Sequence, residues 1–148
     1  WVQCSFLYCF HLFAIYIAGQ VGWINPSLLA GVALILIGTF IEGLADYQKQ
    51  QAKAVAPESF IRNGLFSRWR HPNYAGEILV QIGLIVIGIG YLTAGWLNYV
   101  AVTVAPLYII LLMLAECGRA DRSMEQRYGQ HEDFHTYATH SGSVFHGL

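Results

Sequence analysis

Arg70-His71-Pro72-Asn73-Tyr74-Ala75-Gly76-Glu77-Ile78-Leu79-Val80-Gln81-Ile82-Gly83-Leu84 carries a basic, aromatic loop straight into a run with no charge. Residues 78 to 115 contain no Asp, Glu, Lys or Arg, and neither do residues 1 to 41. One spanning helix needs about 20 apolar residues, so each stretch is long enough for two helices and reads as a helical hairpin. The turns are expected where turn formers meet an interfacial Trp, at Trp23-Ile24-Asn25-Pro26 and at Gly95-Trp96-Leu97-Asn98. The chain of 148 residues is 55% hydrophobic and 11% charged, with mean hydropathy +0.45, a composition that excludes an ordinary soluble domain. The expected fold is an all-α polytopic membrane bundle forming a single domain over 1–148, with spans at about 5–23, 27–45, 77–95 and 98–116, a loop over 46–76 and a tail over 117–148.

All eight Lys and Arg residues (Lys49, Lys53, Arg62, Arg68, Arg70, Arg119, Arg122, Arg127) fall in that loop or that tail. The positive-inside rule therefore places loop, tail and both termini in the cytoplasm. The remaining face is two short neutral turns, so chemistry belongs on the cytoplasmic side. No basic stripe of the nucleic-acid type is present. Cys4, Cys9 and Cys117 lack paired spacing and read as small apolar fillers. The chain opens on Trp1 with no basic n-region, so no signal peptide is expected and the chain reads as a possible fragment.

A carboxylate at the mouth of a membrane span is expensive to keep and marks a candidate site. Glu77 occupies such a position, four residues after Asn73 and on the same helical face. Pro72 suits a first helical turn, whose free N–H groups favour an anion. At the end of the second span Glu42, Asp46, Lys49 and Gln50 share a face. Two carboxylates four apart repel, so either Lys49 and Lys53 or a hydroxyl-rich ligand must compensate them. Tyr74 is either a proton donor, a stacking residue or an interfacial anchor. His11, inside the first span, reads as a neutral histidine bonded to a neighbouring helix. Small residues Gly83, Gly88, Gly90 and Ala94 make the third span central in its bundle, and Pro106 predicts a kink in the fourth.

Asp46-Tyr47-Gln48-Lys49, Gly64-Leu65-Phe66, Arg70-His71-Pro72-Asn73-Tyr74-Ala75-Gly76-Glu77 and Tyr128-Gly129 together resemble the C-terminal half of the steroid 5α-reductase-like membrane proteins, over roughly residues 40 to 140. The resemblance implies NADPH as cofactor. Asn73 and Glu77 would hold the nicotinamide amide and Asp46 a cofactor hydroxyl. The arginines and tail residues, among them Arg68, Arg70, Arg119 and Asp121, would take the phosphates beside His71 and Glu42. Catalysis would fall to Glu77 and Tyr74. The implied substrate is lipophilic, steroid or isoprenoid-like, and reduced at a conjugated C=C bond while held among membrane lipids. The chain departs from that family at Asp121, where Glu or Tyr is expected, and at Glu116-Cys117-Gly118-Arg119, where a small polar turn is expected. It also shows no counterpart of the N-terminal acid pair. That gap points to a homo-oligomer, to missing N-terminal spans, or to a non-catalytic module. The isoprenylcysteine-type carboxyl methyltransferases share much of the signature and imply S-adenosylmethionine instead. Asn73, Glu77 and the 46–49 segment favour the reductases.

His131-Glu132-Asp133-Phe134-His135 matches the zinc pattern H-E-x-x-H letter for letter. The alternative is a surface helix that presents Phe134 and Tyr137 to the membrane, and this is the expected reading, with no metal.

Overall fold

The computed structural model describes residues 12, 15, 16, 19, 20, 24–91 and 96–144. The span expected over 5–23 lies almost wholly outside them, as do Cys4, Cys9, His11, Trp23 and Ala94. Among the described residues from 24 onward the α-helices are, in order, α1 (Pro26–Val55), α2 (Pro72–Tyr91), α3 (Trp96–Tyr128) and α4 (Glu132–His140), with a 3-10 turn at Gly64–Ser67. No strand occurs among the described residues, and α1, α2 and α3 are each long and apolar enough to cross a membrane. The chain is thus an all-helical protein of integral-membrane character.

Helix boundaries depart from the hydropathy reading at both polar ends. α1 runs to Val55, so ten residues of the expected loop over 46–76 are helical, and α2 already begins at Pro72. α3 continues through Pro106 and past residue 116 to Tyr128, so the first third of the expected tail belongs to it. Trp96, Leu97 and Asn98, expected to form a turn, open that helix. Loss of hydropathy marks where lipid ends, whereas a helix ends where its backbone finds other partners. Just past the last turn of α1, Lys53 Nζ donates to the carbonyls of Pro57 at 2.8 Å and Ser59 at 2.9 Å and so ties down the departing chain.

The chain divides into two compact units. The first comprises residues 1–38 and 78–111. Here Asn25 caps α1, its Oδ1 accepting from the Leu28 N–H at 2.8 Å and the Ser27 hydroxyl at 2.6 Å. Its Nδ2 donates to the Gly90 carbonyl at 2.9 Å, tying the start of α1 to the end of α2. Backbones of α1 and α2 approach at Gly31 and Gly83: a Cβ on either would lie 2.6 Å from the other's carbonyl oxygen. Leu29, Val32, Leu36 and Ile37 of α1 and Val100, Val104, Leu107 and Leu111 of α3 stay exposed at helical spacing, apolar faces of the kind that suits lipid.

The second unit, residues 39–77 and 112–148, packs differently. Phe60 sits with its ring centroid 5.6 Å from Tyr128, 5.4 Å from Phe134 and 5.3 Å from Tyr137. Phe134 is 2% exposed and Tyr137 9%. The expectation that these two side chains meet the membrane is thereby corrected, because α4 turns its apolar face onto an aromatic cluster of the protein itself. Gly64 has φ +63, and Gln48 Oε1 lies against it to accept from the Leu65 N–H at 2.9 Å; any Cβ there would meet both obstacles.

Candidate functional site

The basic loop before α2 is fixed by a carboxylate it does not neighbour in sequence. Asp121 of α3 receives Arg70 through Nε at 2.9 Å and Nη2 at 3.2 Å, the bidentate pairing a planar guanidinium favours. It also holds His71 Nε2 at 2.8 Å and the Ser143 hydroxyl at 2.7 Å. Burial by itself would raise the Asp121 carboxyl, but the hydrogen bonds from Arg70, Ser143 and His71 outweigh it and hold the group at about 2. Burial lowers His71, and the Asp121 contact only partly opposes it. His71 is therefore neutral near pH 7 and donates its Nε2–H to the carboxylate.

Arg70 Nη1 donates in addition to the Ala138 carbonyl at 3.0 Å and to the Ser141 carbonyl. Backbone bonds complete the arrangement. The Arg70 N–H meets Gly142 O at 2.8 Å, His71 N–H meets Ser143 O at 3.0 Å, and Gly142 N–H meets Arg68 O at 3.0 Å. Behind it the Tyr137 hydroxyl donates to Phe66 O at 2.8 Å, and burial pushes that phenol up to about 12.

A pocket of about 230 Å³ opens beside this arrangement, walled by Lys49 and Lys53 of α1, Phe60 and Phe66, Arg70, His71, Asn73 and Tyr74, and Ala120, Ser123, Met124, Arg127 and Tyr128 of α3. Four of the lining residues are Lys or Arg and none is Asp or Glu. Two of the cations are already engaged. Asp121 takes Arg70, and Lys53 is spent on two carbonyls and the Tyr128 hydroxyl at 3.4 Å. Lys49 and Arg127 have no hydrogen-bond or ion-pair partner among the described residues and are both exposed. Tyr74 stacks on His71 with centroids 5.5 Å apart and planes at 17°.

Of the residues singled out from sequence, Arg70, His71, Asn73 and Tyr74 line the pocket and Asp121 braces it from behind. Glu77 lies one turn beyond Asn73 on α2, and Glu42 is within electrostatic reach of both Glu77 and Asp46. These three carboxylates, together with Arg68 and Arg119, do not line the pocket. Arg119 pairs with Glu116 one turn away, and the exposed Arg68 offers its carbonyl to Gly142. The sequence reading missed Arg127, Ser123 and Met124 and treated Lys49 and Lys53 only as counterions. The signal was available: Ala120, Ser123, Met124 and Arg127 follow i, i+3, i+4, i+7, and Lys49 and Lys53 follow i, i+4, each one face of a helix.

The zinc-like pattern is dispersed. His131 precedes the first turn of α4, and His135 Nε2 contacts the Gly129 carbonyl at 2.7 Å. The described residues hold no group of three His, Cys, Asp or Glu arranged for a metal ion.

Residues 2–141 match the model of a family described as a protein of unknown function, DUF1295. No curated protein and no solved structure matches the chain.

Proposed function

The chain belongs to the family whose model it matches, a steroid 5α-reductase-like family, and from that premise we propose that it is a membrane-embedded, NADPH-dependent reductase of a conjugated C=C bond in a lipophilic substrate. The observation that carries this reading is the pocket's charge. Four cations and no carboxylate line it, and Lys49 and Arg127 remain uncommitted. Such a lining fits phosphate groups. S-adenosylmethionine, with a sulfonium and an ammonium against a single carboxylate, would leave its positive charges uncompensated there. At about 230 Å³ the pocket is smaller than the ~300–1,000 Å³ that encloses a drug-sized ligand, so it suits one phosphate-bearing end of a dinucleotide.

NADPH, when bound, supplies the hydride that adds to the carbon β to the carbonyl. The protein's part is to bind, orient and exclude water. Lys49 and Arg127 would hold phosphate oxygens. Asn73 and Glu77, four apart on α2, would orient the nicotinamide amide at the membrane end. Tyr74, fixed in orientation by its stack on His71, would bring its Oη–H to the α-carbon that must take a proton. The apolar helices would keep the substrate in the plane of the bilayer.

The test is nucleotide titration of the detergent-solubilised protein. NADPH should bind more tightly than NADH or S-adenosylmethionine. Glu77→Gln, which keeps the shape but removes an acceptor, should weaken NADPH binding by ~1.5–3 kcal/mol. Replacing Lys49 and Arg127 together by Ala should weaken it further, with a loss that shrinks as salt rises. Tight S-adenosylmethionine binding without NADPH binding would overturn the assignment.

A further inference from the structure

The residues that fix the basic loop are not the residues that line the pocket. Asp121, Gly142 and Ser143 make no part of the pocket wall. Yet between them they receive or supply six of the bonds on Arg68, Arg70 and His71: two side-chain bonds from Arg70 and one from His71 to Asp121, and backbone bonds from Arg70 to Gly142, from His71 to Ser143 and from Gly142 to Arg68. Ser143 closes the circuit by donating to Asp121. A short parallel bridge pairs Trp69 with Gly142. Ser141 and Val144 on either side are 6% and 3% exposed, so the segment is seated and does not trail across the surface.

We propose that residues 141–144 are a latch, and that Asp121 is a positioning residue which couples the latch to the pocket through Arg70 and His71. This rests on the reading above for the ligand's identity, and departs from the sequence reading, in which Asp121 and Arg70 touch the cofactor. Three consequences follow from the geometry. Arg70 presents to the pocket a guanidinium whose charge is already balanced, so it shapes the wall more than it attracts phosphate. The register of His71, and with it the stacked Tyr74 ring, depends on the chain about 70 residues further on. By thermodynamic reciprocity, a ligand that needs the seated loop must also favour the seated latch.

The experiment uses the full chain in detergent and three variants, Asp121→Asn, Asp121→Glu and Ser143→Ala, with two readouts: NADPH titration and amide hydrogen exchange in the peptides covering 68–71 and 141–144. Ser143→Ala leaves the Asp121 carboxylate and Arg70 chemically intact. It should nonetheless speed exchange in both peptides and weaken NADPH binding severalfold. Asp121→Asn should do so by about tenfold or more, within the usual range of coupling between sites, and Asp121→Glu should recover part of the loss. Saturating NADPH should slow exchange at 141–144 in the unaltered protein. If Ser143→Ala binds NADPH normally while Asp121→Asn does not, Asp121 acts by direct contact and the latch is wrong. If the unaltered protein binds no NADPH, the reductase reading falls, and the exchange arm alone decides the latch. Faster exchange at 68–71 in Ser143→Ala and Asp121→Asn sustains it, and unchanged exchange in both overturns it.

Discussion

The two units use the same element, the α-helix, and hold it together by opposite means. In the unit of residues 1–38 and 78–111, contact is made by removing side chains: Gly31 and Gly83 let two backbones meet, and many large apolar residues of α1 and α3 stay exposed. In the unit of residues 39–77 and 112–148, contact is made by adding them, through four clustered aromatic rings and a carboxylate with three side-chain donors. The difference is the one that lipid and water, as solvents, would each favour. Lipid tails are as apolar as leucine, so burying leucine against a neighbour gains little in a bilayer and close van der Waals approach decides. Facing water, burying Phe and Tyr is strongly favourable, and polar ties fix which way the rings pack.

Substitutions can break this contrast at graded cost. Phe134→Ala should be the most damaging, at ~3–5 kcal/mol, because a 2% exposed ring at the centre of the cluster leaves a cavity. Chemical denaturation followed by tyrosine fluorescence in the tail unit should report it. Gly83→Ala comes next, at ~1–3 kcal/mol, since its Cβ would lie 2.6 Å from the Gly31 carbonyl, and backbone cannot swing aside as a side chain would. Thermal aggregation in detergent should fall to lower temperature, whereas Gly43→Ala on α1, with nothing within 4 Å of its Cβ, should leave it unchanged.

Acid tests the polar unit alone. The Asp121 carboxyl, held at about 2 against an ordinary 3.8, binds its proton less readily folded than unfolded. Its contribution is therefore complete above about pH 4 and is lost as pH falls toward 2, a change of about 2 kcal/mol at ~1.4 kcal/mol per pH unit. His71, lowered by burial, acts with the same sign from its own ordinary value of 6.5 downward. Asp121→Asn should flatten the acid limb below pH 4 in a denaturation series. Last, Arg62→Ala removes an exposed pair with Asp133 at 3.3 Å, whose side chains are 56% and 75% exposed. It should shift stability by less than ~0.5 kcal/mol and vanish in high salt.

The integral-membrane character and three helices apolar enough to cross a membrane were readable from charge-free runs, because exclusion of charge from lipid is enforced residue by residue. So was Pro72 as the start of a helix, since its fixed φ acts locally. The ends of α1 and α3 were not readable. Both helices continue where polar residues begin, and where each stops depends on how the departing chain is held, as Lys53 holds the Pro57 and Ser59 carbonyls after α1. At the site, the resemblance pointed to the loop Arg70–Tyr74, four of whose residues line the pocket. It could not reveal that Asp121, 51 residues away in sequence, balances Arg70, or that Arg127 stands uncommitted across from Lys49. Pairings of that kind are set by tertiary geometry, and a one-dimensional pattern carries no distance between its parts.

Lys49 and Lys53 sit one helical turn apart, identical in type, yet the structure makes them chemically unequal. Lys53 keeps its ammonium protons on two carbonyls and a phenol oxygen, over the Tyr128 ring at 6.0 Å. An amine-directed acylating reagent must first dismantle those contacts before it finds a lone pair there. Lys49 demands no such rearrangement, so mild acylation should label it selectively, and a bound polyanion should shield it. A single mass shift on one peptide would then report pocket occupancy without any assay of turnover.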